Sequence, residues 1–118
     1  MDKLEIIKRL QESDLNKEIV FHYDTTTKND DSSSSIKKLQ VVSNYDCIDY
    51  IEVRLDDLNL NSTRMKVKDL MFMIFSDIMK DIKLKYKGKE VEIKDIITIN
   101  SQITPIGVIV LLEKSEIN

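Results

Sequence analysis

The stretch KLEIIKRLQESDLNKEIVFHYD at residues 3–24 recurs without a gap at residues 66–87 as KVKDLMFMIFSDIMKDIKLKYK. A chain that repeats itself at a fixed offset is built from copies of one supersecondary unit. The sequence therefore predicts an internal duplication. The offset of 63 residues preserves residue type at many apolar and turn positions: Ile7 with Leu70, Leu10 with Met73, Ser13 with Ser76, Asp14 with Asp77, Lys17 with Lys80, Ile19 with Ile82 and Tyr23 with Tyr86.

The alignment resumes downstream, where residues 36–57 match residues 93–114 at an offset of 57. We attribute the fall of six residues to a polar insert, residues 25–35, in the first copy. The insert has no large apolar residue with which to offset the entropy of ordering, so we predict a mobile hairpin tip. The second alignment pairs Val42 with Ile99, Ile51 with Val108, Val53 with Val110 and Leu55 with Leu112.

Within each copy the hydrophobic period changes from that of a helix to that of a strand. Asp2, with Glu5 three residues later, predicts the start of a first helix, and residues 18–23 alternate as a strand does. We therefore predict an α+β fold of two tandem helix-strand-strand-strand (αβββ) units, with antiparallel sheets packed with two helices. A single domain, 1–118, contains an acidic first copy (1–58) and an apolar second copy (64–114).

The second helix is expected to be covered on more than one side. Its run Leu70-Met71-Phe72-Met73-Ile74-Phe75 is apolar around nearly the whole helix. The cover is either the two copies of this chain or the same helix of a second chain in a homodimer.

Composition describes a globular protein with an uneven charge. The chain has 118 residues, of which 42% are hydrophobic and 33% charged. No apolar run reaches the ~18 residues that span a membrane, and nothing at the start resembles a secretory signal, so we expect a cytoplasmic protein. Residues 1–62 carry 8 basic and 13 acidic side chains, whereas residues 63–118 carry 10 and 8. Such asymmetry usually concerns partners or self-association.

Few catalytic arrangements fit this composition. The chain has one histidine and one cysteine, Cys47, and contains no glycine-rich phosphate-binding motif. His22 and Asp24 lie on the same side of a predicted strand, but a partly exposed histidine explains the pattern as well as a catalytic pair does. We expect no enzymatic activity, no cofactor and no metal site.

Two charged surfaces are candidate binding sites. The first is an acidic face, for which a solvated surface is the alternative: Asp46, Asp49, Glu52, Asp56 and Asp57. The second is a basic face in which alternation puts three ammonium groups on one side of a strand: Lys83, Lys85 and Lys87. A lysine row could bind phosphates, but lysines also protect an edge strand against unwanted pairing, and we favour that explanation.

The opening LEIIKRLQESDLNKEIVFHYD resembles the start of small accessory proteins of phages and mobile elements, including anti-CRISPR and other anti-defence inhibitors. The resemblance implies a short, acidic, cytosolic inhibitor built from a helix beside a three-stranded sheet. No functional residue is transferred from it.

Together with the resemblance, the sequence predicts a non-enzymatic protein-binding module, an inhibitor of a host defence protein that acts through the acidic face. One partner of this kind is a nucleic-acid-binding effector, whose basic groove would meet carboxylates that imitate phosphates. The alternative is a self-assembling structural or regulatory phage protein that forms a homodimer through the second copy. Direct nucleic-acid binding through the basic face ranks third, because the chain is acidic overall and shows no aromatic platforms.

Overall fold

The computed structural model describes residues 1–25, 36–61, 63–77 and 79–115. The predicted insert 25–35 lies outside the described residues from residue 26 onwards. The described chain forms a helix and three strands, followed by a second helix and three strands: α1 (Lys3–Gln11), β1 (Glu18–Asp24), β2 (Ile36–Asp46), β3 (Tyr50–Asp57), α2 (Val67–Phe75), β4 (Asp81–Tyr86), β5 (Lys89–Thr98) and β6 (Ile106–Lys114).

The six strands of the described chain close into one barrel in the order β1-β2-β3-β4-β5-β6. The predicted packing of antiparallel sheets with two helices is therefore wrong. Pairing is antiparallel inside each half, but β3 pairs with β4, and β6 with β1, in parallel. A parallel pair needs a crossover, and the segment containing α2 supplies it between β3 and β4. No strand of the described barrel has a free edge.

The two parallel junctions are built in the same register. The inward residues of one junction match the inward residues of the other at the offsets of the sequence alignment. The offset is 63 for the first strand of each half and 57 for the third strand. At one junction Ile51, Val53 and Leu55 lie opposite Ile82, Leu84 and Tyr86; at the other Val108, Val110 and Leu112 lie opposite Ile19, Phe21 and Tyr23.

The antiparallel pairs correct the alignment of the second strands. Leu39 lies opposite Phe21 and Val91 lies opposite Leu84, so β2 matches β5 at an offset of 52. The predicted match of Val42 with Ile99, at an offset of 57, is wrong. A β-bulge interrupts both strands at the matching residues Val42 and Lys94. The offset thus falls from 63 to 52, a difference of 11 residues that equals the length of the insert 25–35.

The two helices share three buried positions. Each has nine residues, and the fourth, fifth and eighth are buried in both. Buried residues of α1 therefore match those of α2 at an offset of 64, one residue more than the sequence alignment gives. Asp2 caps α1 as predicted, because its carboxylate accepts a hydrogen bond of 2.8 Å from the Glu5 N–H. The matching buried residues are Ile6, Ile7 and Leu10 in α1 and Leu70, Met71 and Ile74 in α2.

The turn after each helix repeats the same local hydrogen bonds at an offset of 63. The Asp14 carboxylate accepts from the Asn16 N–H at 2.9 Å, and the Asp77 carboxylate accepts from the Met79 N–H at 3.1 Å. Such side-chain bonds to nearby N–H groups fix turns that have few apolar contacts. Residues placed alike in the two halves by these offsets are called equivalent below.

The core lies inside the barrel and under the helices. Inward residues of all six strands pack with the buried residues of both helices in one cluster. The outer side of α2 is different, because Phe72 is 80% exposed. Of the two covers predicted for α2, the chain's own halves leave Phe72 uncovered, and a second chain stays a prediction.

Candidate functional site

Glu52, a member of the predicted acidic face, is buried on the outer side of β3. Its neighbours Ile51 and Val53 face the core, so Glu52 faces outwards, yet only 8% of its side chain is exposed. Its carboxylate accepts hydrogen bonds from Arg54 Nε at 2.8 Å and from Lys85 Nζ at 3.0 Å. The bond from Arg54, reinforced by Lys85, lowers the pKa of Glu52. This carboxylate is therefore ionised, and its negative charge is balanced by the two neighbouring cations.

The predicted acidic and basic faces meet on one surface. In the parallel pairing of β3 with β4, Glu52 lies opposite Lys83 and Arg54 lies opposite Lys85. The one carboxylate of Glu52 therefore lies among the cationic side chains of Arg54, Lys83 and Lys85. Since β4 is paired on both sides, by β3 and β5, edge protection does not explain its lysines.

The other predicted carboxylates are dispersed. Asp46 forms an ion pair with Lys80 at the barrel end where the helices lie. Asp57, at the opposite end, accepts a hydrogen bond of 2.7 Å from the Tyr86 hydroxyl, which lowers the pKa of Asp57. Asp49 and Asp56 are exposed. The five acidic residues thus do not form one open surface.

Two tyrosines and an arginine were missed by the sequence analysis. The Arg54 guanidinium lies over the Tyr45 ring at 4.1 Å from the ring centroid, and Lys83 Nζ lies 4.5 Å from the centroid of Tyr50. Such cation–π contacts hold long basic side chains in a fixed direction. The alternation of Tyr50, Glu52 and Arg54 along β3 was the available signal, but it becomes informative only once β4 is known to be the neighbour.

A groove of about 390 Å³ opens beside this network. Arg54, Lys85 and Lys87 bring cations to its wall, and Glu52 and Asp56 bring carboxylates. The turn Lys87-Gly88, in which both residues have positive φ, closes one end. Val42 and Leu55 complete the lining.

The opposite end of the barrel from the helices is filled by a polar aromatic cluster. The rings of Tyr23 and Tyr86 lie 5.6 Å apart, and Lys37 Nζ is 3.5 Å from the Tyr86 hydroxyl. Together with the bond from Tyr86 to Asp57, these contacts close the barrel with satisfied polar groups. The tyrosines occupy equivalent positions of the two halves.

The outer side of α2 is the largest departure from the predicted surface. Phe72 and Met79 are 80% and 88% exposed, and Phe75 is 44% exposed. Beside Phe72 a shallow cleft of about 400 Å³ is also lined by Met65, Met73 and Asn44, among others. Phe72 and Phe75 lie one turn apart on the same side of α2. Exposed apolar side chains that lie together mark contact surfaces more often than scattered ones do.

The chain's one histidine and one cysteine lie in β1 and in the β2–β3 connection. His22 lies opposite Lys38 in the pairing of β1 with β2, and burial, together with the charge of Lys38, lowers the pKa of His22. Cys47 lies in the β2–β3 connection, where a hydrogen bond with Cys47 raises the pKa of Tyr50.

Across residues 1–25, 36–61, 63–77 and 79–115, no group of three or more His, Cys, Asp and Glu side chains is placed to hold a metal ion. In the same ranges neither helix is long and apolar enough to cross a membrane. No family model matches the chain, and neither a curated protein nor a solved structure matches it.

Proposed function

We propose that the protein is a non-enzymatic protein-binding module whose contact surface is the outer side of α2 with the adjoining β2–β3 loop. The observation that carries the proposal is the exposure of Phe72, Phe75 and Met79. We call these three side chains the α2 patch.

The fold does not require apolar residues at the α2 patch. The equivalents of Phe72 and Phe75 in α1 are Lys8 and Gln11, and both are exposed. The equivalent of Met79 is Asn16, whose N–H makes the same turn hydrogen bond. The same architecture is therefore built in one half with polar side chains at these places. Since folding leaves them uncovered, an intermolecular contact is the simplest reason for their chemistry.

The β2–β3 loop adds an apolar tip and acidic groups to this surface. The ion pair between Lys80 and Asp46 ties the loop to the turn that follows α2. In that loop Ile48 is 91% exposed and Asp49 is exposed as well. The surface suits a protein with an apolar cleft bordered by basic residues, because charge at the rim steers association. The inhibitor activity implied by the resemblance would act through this surface.

The test compares the wild type with a variant in which the α2 patch carries the residues of the other half: Phe72→Lys, Phe75→Gln and Met79→Asn. Tagged proteins are used to isolate binding proteins from a bacterial host, and the affinity of the purified partner is then titrated. We expect at least a tenfold loss of affinity, since buried aromatic anchors dominate interface energies.

The matched control is Leu4→Lys. Leu4 is an exposed apolar residue of α1 and its equivalent in α2 is Lys68. The control should bind as the wild type does. Equal affinities for all three proteins would exclude the α2 patch as the contact surface.

Self-assembly is the second candidate, and the same patch favours it, because a two-fold contact would bury Phe72 of both chains against each other. Sedimentation velocity at several concentrations separates the two functions. A wild-type dimer that becomes a monomer in the triple variant supports self-assembly. A wild type that stays monomeric at ~100 µM has a dimer affinity weaker than that of most specific interfaces, and the heterologous partner then remains the proposal.

A further inference from the structure

The lysines of β4 need an explanation that edge protection does not give. β4 lies between β3 and β5 in the closed barrel, so Lys83 and Lys85 protect no edge, and Lys87 follows them in the turn to β5. The aromatic residues that the sequence did not reveal, Tyr45 and Tyr50, lie on the same side of the barrel as these lysines.

Arg54 is held in position before any ligand arrives. Its Nε donates to the buried carboxylate of Glu52, and its guanidinium lies over Tyr45. These contacts use Nε and one face of the guanidinium, so the two terminal amino groups are not needed to hold the side chain. About half of the Arg54 side chain is exposed, at 52%. A guanidinium fixed in this way loses little entropy when it binds an oxyanion through its planar fork.

Two lysines border the same groove. Lys85 Nζ is anchored to Glu52 at 3.0 Å. Lys87 lines the groove beside Gly88, and its Nζ lies 5.3 Å from the centroid of the Tyr86 ring. Glu52 is engaged by Arg54 and Lys85, and the Asp56 carboxylate accepts the Asp57 N–H at 2.7 Å. The groove therefore has three cations against two carboxylates, and both carboxylates already hold hydrogen bonds.

We propose that this groove binds a phosphate group. The terminal amino groups of Arg54 donate to two phosphate oxygens, and Lys85 and Lys87 supply point charges to the remaining oxygens. A tetrahedral oxyanion with several acceptor oxygens fits one planar fork and two ammonium groups better than a single carboxylate does. This site is separate from the α2 patch, so it stands independently of the proposed protein-binding function.

The phosphate has two sources that this chemistry does not separate. One is a free phosphate compound such as pyrophosphate, and the other is the backbone of a single-stranded nucleic acid, whose bases would also meet Tyr45 and Tyr50. The probes are therefore sodium pyrophosphate and a ten-residue oligothymidine.

The experiment is a titration of the ¹⁵N-labelled full chain with each probe at low salt. We expect amide shifts centred on Arg54 and Gly88 with at least one probe. Lys87→Gln should weaken binding about tenfold, as the loss of one charge-assisted contact does. The control Lys8→Gln removes the same charge from an exposed position of α1, outside the groove lining, and it should leave the affinity within about twofold, as an exposed charge contributes little.

A further variant tests the fork. Arg54→Lys keeps the charge and removes the bidentate geometry, so it should also weaken binding about tenfold. Tighter binding of oligothymidine identifies a nucleic-acid strand as the source, and tighter binding of pyrophosphate identifies a free phosphate compound. Absence of shifts with both probes, or equal losses in Lys87→Gln and Lys8→Gln, would overturn the proposal.

Discussion

The two helices have the same length and share three buried positions, yet their outer sides differ. In α1 the sixth and ninth residues are Lys8 and Gln11, whereas in α2 they are Phe72 and Phe75. The three shared buried positions are apolar in both helices, whereas the exposed positions differ in chemistry. The comparison teaches that residues of one half identify which side chains of the other half are not required for folding.

The largest expected effect concerns the positions that the halves share. Leu10 and Ile74 are the eighth residues of their helices and are 0% and 1% exposed. Leu10→Ala and Ile74→Ala should each lower the free energy of unfolding by about 2–5 kcal/mol, because each leaves a cavity. Urea denaturation measures both. A loss below about 1 kcal/mol for one of them would show that the two halves do not share the core equally.

A smaller loss of stability is expected at Gly107, where the two halves differ and the backbone lies close to a neighbouring side chain. Gly107 is the equivalent of Tyr50, and a Cβ built on Gly107 would lie 2.7 Å from Cβ of Lys17. The Lys17 ammonium donates to the carbonyl oxygen of Thr104 at 3.0 Å, which holds the two segments together. Gly107→Ala should therefore destabilise the fold by about 1–3 kcal/mol, as overpacking does.

The control for this substitution is Gly88→Ala, where a Cβ meets nothing within 4 Å but φ is +77°. Its cost should be about 1–2 kcal/mol and comes from backbone strain alone. Thermal melts in parallel measure both. An unchanged melting temperature for Gly107→Ala would contradict the close approach of Lys17.

The two parallel junctions differ on their outer sides, and pH tests that difference. Glu52 is paired with Arg54 and Lys85, whereas its equivalent at the other junction is Ile109. Because the pKa of Glu52 is lowered in the folded chain, the unfolded chain binds the proton more readily. The stabilisation is complete above the ordinary carboxyl pKa of about 4.3 and is lost as the pH falls through the lowered folded value.

The measurement is the difference in melting temperature between the wild type and Glu52→Gln from pH 7 to pH 3. We expect the wild type to be more stable at pH 7 and the difference to shrink towards pH 3. Asp49→Asn, at an exposed loop position, is the control and should differ little from the wild type throughout. A difference for Glu52→Gln that stays constant over the whole range would show that its charge does not stabilise the fold.

The sequence predicted the local elements better than their assembly. Helical stripes, the Asp2 cap and the inward residues at the parallel junctions follow from periodicity and from the alignment of the two halves. Closure of the barrel does not, because alternation along β3 and β4 is the same whether these strands pair with each other or lie in separate sheets. The alignment of β2 with β5 was wrong because the polar insert has no apolar pattern that shows where β2 begins.

The candidate sites were harder to predict for a related reason. The neutralisation of Glu52 depends on Lys85, which lies 33 residues away and becomes its neighbour only through the parallel pairing. Phe72 was expected to be buried because a run of apolar residues has the same sequence pattern whether its own chain or a partner covers it.

The most direct measurement is the free energy of unfolding of the variant Phe72→Lys, Phe75→Gln, Met79→Asn, determined by urea denaturation beside the wild type at a concentration where both are monomeric. Each position is exposed and its equivalent in the first half is polar. If the α2 patch serves contact with another molecule and not folding, the two values should agree within about 1 kcal/mol. A loss of about 3 kcal/mol or more, similar to that expected for Ile74→Ala, would show that the patch packs within the chain and would contradict the proposed contact surface.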